Sequence, residues 1–351
     1  MIRVALHAVA GPRGGPRTYA VALALALAER RDLDLVVLTD RPEVFGAIPT
    51  VRLTGPRPFV DQVVVPRLLK RLRPDVYHNT KNVLPLLSPR RSVVTVHDLA
   101  CWHFPETFSL PARLYLRAHT LHAVRRATRV ITVSEHARRD LVATLGAPEA
   151  KLRVVHHGVD DAFRAPAPLP RVDLPGRYVL SVGTIQARKN LDVLVRAVGR
   201  LRDREGIDVT LAIAGRRGWK TRAFDEACRA TPVRLLGAVP DEALPALYAG
   251  AAAFVQPSSY EGFGLTAVEA MASGAPVVVA DAGSLPEVVG EAALLVPPRD
   301  EAALADALKQ LLDRDGPARA LREAGRARAR RFTWEASAAA HAAVYEEAAA
   351  C

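Results

Sequence analysis

Glu261 and Glu269 stand eight positions apart and bracket the segment Glu261-Gly-Phe-Gly-Leu-Thr-Ala-Val-Glu269. Gly262 and Gly264 have no Cβ, so the chain can turn sharply there and come close to a ligand just before the apolar run that begins at Leu265. Such a turn feeds a helix N-terminus. The N–H groups of Phe263, Gly264, Leu265 and Thr266 would then lack intrahelical acceptors, and the helix dipole would favour an anion in front of them. At about 1.5 Å rise per residue, Glu269 falls roughly one turn further in. One carboxylate at the loop and one on the helix can accept from sugar hydroxyls. Phosphate and sugar recognition side by side is the chemistry of a nucleotide-sugar site.

A second group follows the strand expected over Tyr178–Val182: Gly183-Thr-Ile-Gln-Ala-Arg188-Lys189-Asn190, leading into a helix. Arg188 offers a planar fork and Lys189 a compact charge, a pair suited to a diphosphate. Cations at a helix start oppose its dipole unless an anion sits there, which argues against two merely solvated side chains. Ligands of open α/β sheets bind beyond the carboxyl ends of strands, where this loop lies. His97 ends the strand expected over 92–96 and would face a crevice between domains. An uncharged imidazole there could donate to a sugar hydroxyl or steady charge at a reacting carbon, or be a satisfied structural residue.

Other glycine loops are less specific. Gly14 and Gly15 follow the first strand and could bring N–H groups to phosphate oxygens, but Gly11-Pro-Arg-Gly-Gly departs from GxGxxG, so a dinucleotide enzyme is not supported. Gly215, opening Gly215-Arg-Arg-Gly-Trp219, and Leu236 and Val239 of Leu236-Gly-Ala-Val-Pro240 lie in strand-end loops that could grip a nucleotide or simply connect. Asp32-Leu-Asp34 matches a metal-binding DxD only by spacing, and turn chemistry explains it better. No metal site is expected.

The elements that position these residues alternate between β-type and helical runs, the pattern of α/β domains with parallel sheets. In the first half strands are expected over 2–7, 34–39, 75–78, 92–96 and 129–133, with helices over 17–30 and 111–127. Ser134 should cap the helix over 135–144. The second series has strands over 178–182, 208–214, 233–235, 252–255, 276–279 and 293–296, with Asn190 and Asp241 as caps. Pro166, Pro168, Pro170 and Pro175 punctuate a stretch without periodicity that reads as a stiff linker. The expected domains are therefore 1–165, a linker over 166–176, 177–331, and a helix over 332–351 that packs back on the first domain.

With 351 residues, half of them apolar, the chain can build two cores. Three cysteines, Cys101, Cys228 and Cys351, are too few and too scattered for a disulfide framework or a CxxC site, which suits a reducing cytoplasm. The N-terminus has no signal-peptide pattern, and the longest apolar run, residues 20–28, is far below the roughly 20 residues of a membrane span. The net charge of +11 is lopsided. Residues 1–165 hold 25 Lys and Arg against 14 Asp and Glu, whereas the remainder balances. The first half is thus expected to meet something anionic, such as a phosphorylated acceptor or an acidic membrane surface, unless Arg-rich faces merely keep it soluble. Only 5% of residues are aromatic and no basic–aromatic groove motif appears, so a nucleic-acid partner is not expected.

Taken together, these segments resemble retaining glycosyltransferases of family 4, which implies the GT-B fold of two Rossmann-like parallel α/β domains facing an interdomain cleft. The resemblance runs from Gly14-Gly15 through His97-Asp98, His157-Gly158-Val159-Asp160 and Arg188-Lys189 to Glu261 and Glu269. It implies that Glu261 contacts the donor sugar, Glu269 the ribose hydroxyls, and Arg188 with Lys189 the diphosphate. His97 would lie against the transferred sugar, Phe263 to Thr266 would present backbone to phosphate and sugar, and the 236–239 strip would meet the base. His157 stands where many members have Asn. The implied reaction is hexose transfer from a nucleoside-diphosphate sugar with retention and without metal or other cofactor. His97-Asp-Leu-Ala-Cys-Trp-His-Phe-Pro-Glu106 resembles mannosyl-transferring members and favours GDP-mannose, with UDP-glucose next. The acceptor would be a glycan or lipid-linked hydroxyl, with basic residues such as Arg67, Lys70, Arg71, Arg113, Arg117, Arg125 and Arg126 facing it or an anionic inner membrane surface. A sugar-nucleotide epimerase, a donor-binding protein without turnover and a nucleic-acid-binding protein are the rival readings.

Overall fold

The computed structural model describes residues 1–11, 14–165, 174, 176–218, 220–313 and 315–351. They divide into two compact units, one of Met1–Gly158 with Thr333–Cys351 and one of Val159–Phe332. The expected linker lies outside the described residues except for 174 and 176. Residues 159–165, expected with the first domain, belong to the second unit. Val159 N–H donates to Phe332 O at 3.1 Å, Arg164 donates to the same carbonyl at 2.8 Å, and the Phe163 ring meets Tyr248 at 5.9 Å.

The first unit is built on seven parallel strands: β1 Ile2–His7, β2 Leu33–Thr39, β3 Thr50–Arg52, β4 Val76–Asn79, β5 Ser92–Val96, β6 Arg129–Thr132 and β7 Leu152–Val154. Their order is β3-β2-β1-β4-β5-β6-β7. Helices cover both faces of such sheets, so inner strands read as unbroken apolar runs, and all five residues of β5 are buried. The outermost strands β3 and β7 span three residues each and carry an arginine, which breaks the apolar run that marks a strand in sequence. The alternating Ala-Leu run is helix Gly15–Ala28, which buries Tyr19, Leu23 and Leu27 at i, i+4 and i+8.

Helix Trp334–Ala349 completes this core, with Trp334, Ala338, Ala342, Tyr345 and Ala348 buried against β1 and helix Gly15–Ala28. Thr333 caps it by accepting from Ala336 N–H at 3.1 Å. Its entry requires Gly158, because a Cβ there would sit 2.3 Å from Trp334 N. A buried relay then ties helix to sheet. His341 Nδ1 lies 2.7 Å from the Ser337 carbonyl, which can only accept, so Nδ1 carries the proton and Nε2 accepts from Tyr19 OH at 2.8 Å. Tyr19 therefore accepts from Thr95 Oγ1 (2.8 Å), Thr95 from His78 Nε2 (2.8 Å), and His78 Nδ1 from Tyr345 OH (2.7 Å). Every proton is assigned by that one carbonyl. Burial lowers the affinity of His78 and His341 for a second proton, consistent with neutral rings.

The second unit carries six parallel strands: β8 Tyr178–Val182, β9 Thr210–Ala214, β10 Arg234–Gly237, β11 Ala253–Gln256, β12 Val277–Ala280 and β13 Leu294–Val296. Their order is β10-β9-β8-β11-β12-β13. Connections leave β8 in one direction and β11 in the other, so the loops at their carboxyl ends flank the crevice where open α/β sheets take ligands. Helices Leu191–Glu205 and Glu301–Asp313 pack their apolar stripes into the core beneath.

Candidate active site

Arg188 and Lys189 end a single 3-10 turn, Ala187–Lys189, after β8, and Glu261 lies in the loop after β11. The structure brings the three together although 73 and 72 positions separate Arg188 and Lys189 from Glu261. Lys189 Nζ is 2.5 Å from Glu261 Oε1, and Arg188 NH1 is 3.3 Å from Oε2 and donates to Tyr260 O. All three side chains are 12–15% exposed, so the charges meet largely out of water. Burial alone would raise the Glu261 carboxyl, but Lys189 and then Arg188 outweigh it and hold Glu261 ionised, well below the usual carboxylate range. Lys189 also lines a narrow recess with Gly183, Thr184, Gln256 and Ser258, and adjacent cations at such a recess suit a phosphorylated ligand.

Backbone stitches the two loops. Ser259 N–H donates to Arg188 O at 2.9 Å, and Asn190 Nδ2 donates to Pro257 O (3.0 Å) and Ser259 Oγ (2.6 Å). Asn190 stands at the N-cap of helix Leu191–Glu205 as expected, with a left-handed φ of 47°, but its side chain makes no capping bond and its Nδ2 donates across the crevice instead. Asp241, by contrast, is not a cap. It begins a 3-10 turn, Asp241–Ala243, behind Pro240. Ser134 does cap, accepting from Ala137 N–H at 3.0 Å. Glu261 is gripped from behind by Gly283 and Ser284, which sequence reasoning did not single out. Ser284 N–H and Oγ donate to Glu261 O at 3.2 and 3.0 Å, and a Cβ on Gly283 would lie 2.8 Å from Glu261 N.

Gly264 takes φ +96° and hands over to helix Leu265–Ser273, whose first N–H groups have no carbonyl one turn back. Thr266 Oγ1 donates to Gln256 Oε1 at 3.0 Å, tying the helix start to β11, while Phe263 is buried against Phe332 at 5.5 Å. Glu269, one turn in, does not join Glu261. It is buried and accepts from Tyr248 OH at 2.9 Å. Burial raises its carboxyl to about 7; the Tyr248 bond opposes the rise, and Asp241 and Asp160 add to it. The two glutamates thus differ in charge state, one fixed as an anion and one titrating near neutrality.

Gly183 and Gly215 lie back to back. A Cβ on Gly215 would stand 1.9 Å from Gly183 O, and Gly215 N–H donates to Gly237 O at 2.7 Å, so the ends of β8, β9 and β10 meet at backbone distance. Leu236 on β10 and Val239 beyond it are half-buried.

In the first unit, His97 Nε2–H donates to Thr80 O at 2.9 Å, and its ring packs edge-on against Tyr19 at 4.8 Å and against His157 at 5.4 Å. Burial lowers its pKa, with the Thr80 bond opposing, so the ring is neutral. With Nε2 already donating, Nδ1 is an acceptor, which corrects the expectation that this imidazole donates to a sugar hydroxyl. Gly14, at φ 146°, precedes helix Gly15–Ala28 and accepts from Arg17 and Thr18 N–H. Gly14 and Gly15 are both exposed. Asp32 and Asp34 pair with Arg30 (2.7 Å) and Arg3 (3.4 Å), so the DxD look-alike is taken up by arginines.

Comparison with known proteins identifies the family and the fold. Residues 13–163 match the model "Glycosyltransferase Family 4" and residues 170–328 the model "Glycosyl transferases group 1". The chain is similar to the O-antigen chain mannosyltransferase B of Escherichia coli, 33% identical over 74% of this chain and 71% of that protein. It is also similar to the MMP alpha-(1->4)-mannosyltransferase of Mycolicibacterium hassiacum, at 36% over 64% and 55%. The D-inositol 3-phosphate glycosyltransferase of Corynebacterium diphtheriae matches at 29% over 97% and 91%. Among solved structures, sucrose-phosphate synthase from Thermosynechococcus elongatus shares the fold at a TM-score of 0.78, with 24% identity over 99% of this chain and 98% of that one. Anabaena HepE in complex with UDP-glucose does so at 0.78, with 19% identity over 98% and 100%. The chain has the GT-B fold and belongs to glycosyltransferase family 4, and it is a glycosyltransferase.

Proposed function

We propose that the chain transfers a hexose, with mannose from GDP-mannose favoured and glucose from UDP-glucose next, to a glycan or lipid-linked hydroxyl, with retention and without a metal. The observation that carries this reading is the Arg188–Lys189–Glu261 cluster at the β8–β11 crevice, beside the N-terminus of helix Leu265–Ser273. The diphosphate leaves against Arg188 and Lys189, whose charge is desolvated and already in position, so no reorganisation is needed as negative charge develops. Glu261 holds both cations until the donor arrives and then accepts from its sugar hydroxyls. Glu269 accepts from the ribose, and the backbone at Phe263, Gly264, Leu265 and Thr266 faces phosphate and sugar. Leu236 and Val239 lie against the base, with Gly183 and Gly215 letting the loops approach it. In the first unit, Gly14 and Gly15 bring backbone to the phosphate oxygens, and the neutral His97 lies against the transferred sugar. The mannosyltransferase relatives support the choice of sugar.

The test is turnover with a panel of GDP-, UDP- and ADP-sugars, with the anomeric configuration of the product read by NMR and a chelator arm for the metal. Lys189→Ala and Glu261→Ala are each expected to lower kcat by roughly a hundredfold to a thousandfold. Both lose one partner of a buried pair and are less stable, so folding is checked by circular dichroism. Wild-type turnover by both folded variants refutes the site, and sugar conversion without an acceptor refutes the reaction.

A further inference from the structure

Tyr248 is fully buried on helix Leu244–Ala249 of the second unit, and among the described residues its hydroxyl has one partner, Glu269 Oε2 at 2.9 Å. Two rings fix it: Phe163 lies edge-on at 5.9 Å, and Phe254 of β11 edge-on at 5.4 Å. Burial, and then the charge of Glu269, push the Tyr248 hydroxyl well above its ordinary pKa, so it stays a donor. The other carboxylate oxygen, Glu269 Oε1, accepts no hydrogen bond among the described residues. One oxygen is anchored and the other is left for a ligand.

The charged groups that act on Glu269 are both acidic: Asp160, just before turn Asp161–Phe163, and Asp241, which opens turn Asp241–Ala243. Asp161 is paired with Arg164. On helix Asp315–Ala329, packed against helix Leu265–Ser273, two arginines meet only its far end. Arg322 donates to Gly274 O at 2.8 Å, and a Cβ on Gly274 would strike the Arg326 guanidinium. Glu287, on helix Leu285–Val289, acts on Arg328. Among the described residues Glu269 therefore has no cation to offset its charge, and the Tyr248 bond is what favours its anion. Burial, opposed by that bond and aided by the two acids, holds the carboxyl at about 7, where a small change of surroundings decides its charge.

We propose that Tyr248 is a positioning residue for donor binding: it fixes Glu269 Oε2 and favours the anion, so that Oε1 meets the ribose and donor binding near neutral pH releases a proton to solvent. The inference rests on the reading of Glu269 as the ribose acceptor. An ionised carboxylate accepts at both oxygens, whereas a protonated one turns one of them into a donor. Binding therefore selects the ionised form, and donor affinity falls as pH falls through about 7.

Dissociation constants of GDP-mannose and UDP-glucose are measured by calorimetry without acceptor, in a pH range where the substituted diphosphate keeps its charge. For the donor that binds, wild type should lose about tenfold in affinity between about pH 8.5 and about pH 6. Tyr248→Phe keeps the ring contacts but loses the bond to the anion, and should move this profile upward by about one pH unit. It then binds about fivefold more weakly than wild type near pH 7 and less than about twofold more weakly near pH 8.5. Glu269→Gln should bind about tenfold more weakly near pH 8.5 and show no profile. Unfolding curves confirm that each variant is folded, and wild type with Glu269→Gln reads the proton release independently of Tyr248. The inference is overturned if wild type shows no pH dependence, or if Tyr248→Phe leaves the profile in place or weakens binding equally at every pH, as a purely structural tyrosine would. Should Glu269→Gln bind as wild type does, or wild type bind neither donor, the ribose reading itself falls and this inference with it.

Discussion

Replacing Glu269 with Gln should stabilise the second unit in alkaline solution and leave it unimproved in acid. Burial holds the Glu269 carboxyl at about 7, against an ordinary 4.5. A carboxyl raised in the folded state binds its proton more tightly there than in the unfolded chain. Its contribution to stability is therefore full below about pH 4.5 and is lost as pH rises through about 7. At 1.36 kcal/mol per pKa unit, ionising Glu269 in place costs about 3 kcal/mol more than ionising it in water. Glutamine keeps the shape and can still accept from Tyr248 OH, now 2.9 Å from Glu269 Oε2, but never ionises. Its own buried amide N–H costs about 1–3 kcal/mol wherever it lacks a partner, and that cost does not vary with pH. The expected signature is thus a variant-minus-wild-type stability that climbs by about 3 kcal/mol between acid and alkaline pH. Native-state hydrogen exchange on helix Leu265–Ser273 reads this locally, which avoids treating two units as one transition. A difference that stays flat across pH would show that Glu269 does not titrate abnormally. Under the proposed ribose role the same substitution also raises KM for the donor.

The β8–β9 backbone contact makes Gly215→Ala costly. Its Cβ would fall 1.9 Å from Gly183 O, so a loss of roughly 2–3 kcal/mol is expected from strain and loop displacement, and an unchanged Tm would contradict the contact. Tyr19→Phe removes the hydroxyl between Thr95 and His341 and should lose about 1–3 kcal/mol in urea unfolding. Burial depresses His341 to about 4, so its contribution is present above the ordinary 6.5 and is lost as pH falls towards 4. His341→Gln should accordingly flatten the acid limb of stability, and an unaltered limb would exclude the histidine as its source.

How far the sequence could be read depends on the range of the forces involved. Strand and helix boundaries came within two residues because burial on both faces of a parallel sheet leaves local apolar runs. β3 and β7 escaped because Thr-Val-Arg and Leu-Arg-Val each carry an arginine that breaks the apolar run, whereas the equally short β13, Leu-Leu-Val, is apolar throughout. Arg188, Lys189 and Glu261 were legible because charges beside glycine turns at strand ends have few structural uses. Asn190 falls at the cap position its residue type suggests, but its left-handed backbone and its side-chain partners on the β11 loop are set across the sheet. Gly283 and Ser284 gave one faint signal, a glycine–serine pair after a strand, with nothing local to connect it to Glu261.

Residue order alone determined that two α/β series form, where their strand-end loops fall, and that cationic and acidic side chains stand at those loops, since these follow from local pattern and backbone chemistry. Only the tertiary structure decided the charge states. Glu261 is an anion because two cations 72 and 73 positions away reach it, Glu269 titrates near neutrality because it is buried, and His97 is an acceptor at Nδ1 because its Nε2–H donates to Thr80 O. Desolvation and hydrogen bonding depend on which atoms surround a group, and for these residues the neighbours are brought in by the fold rather than by the chain.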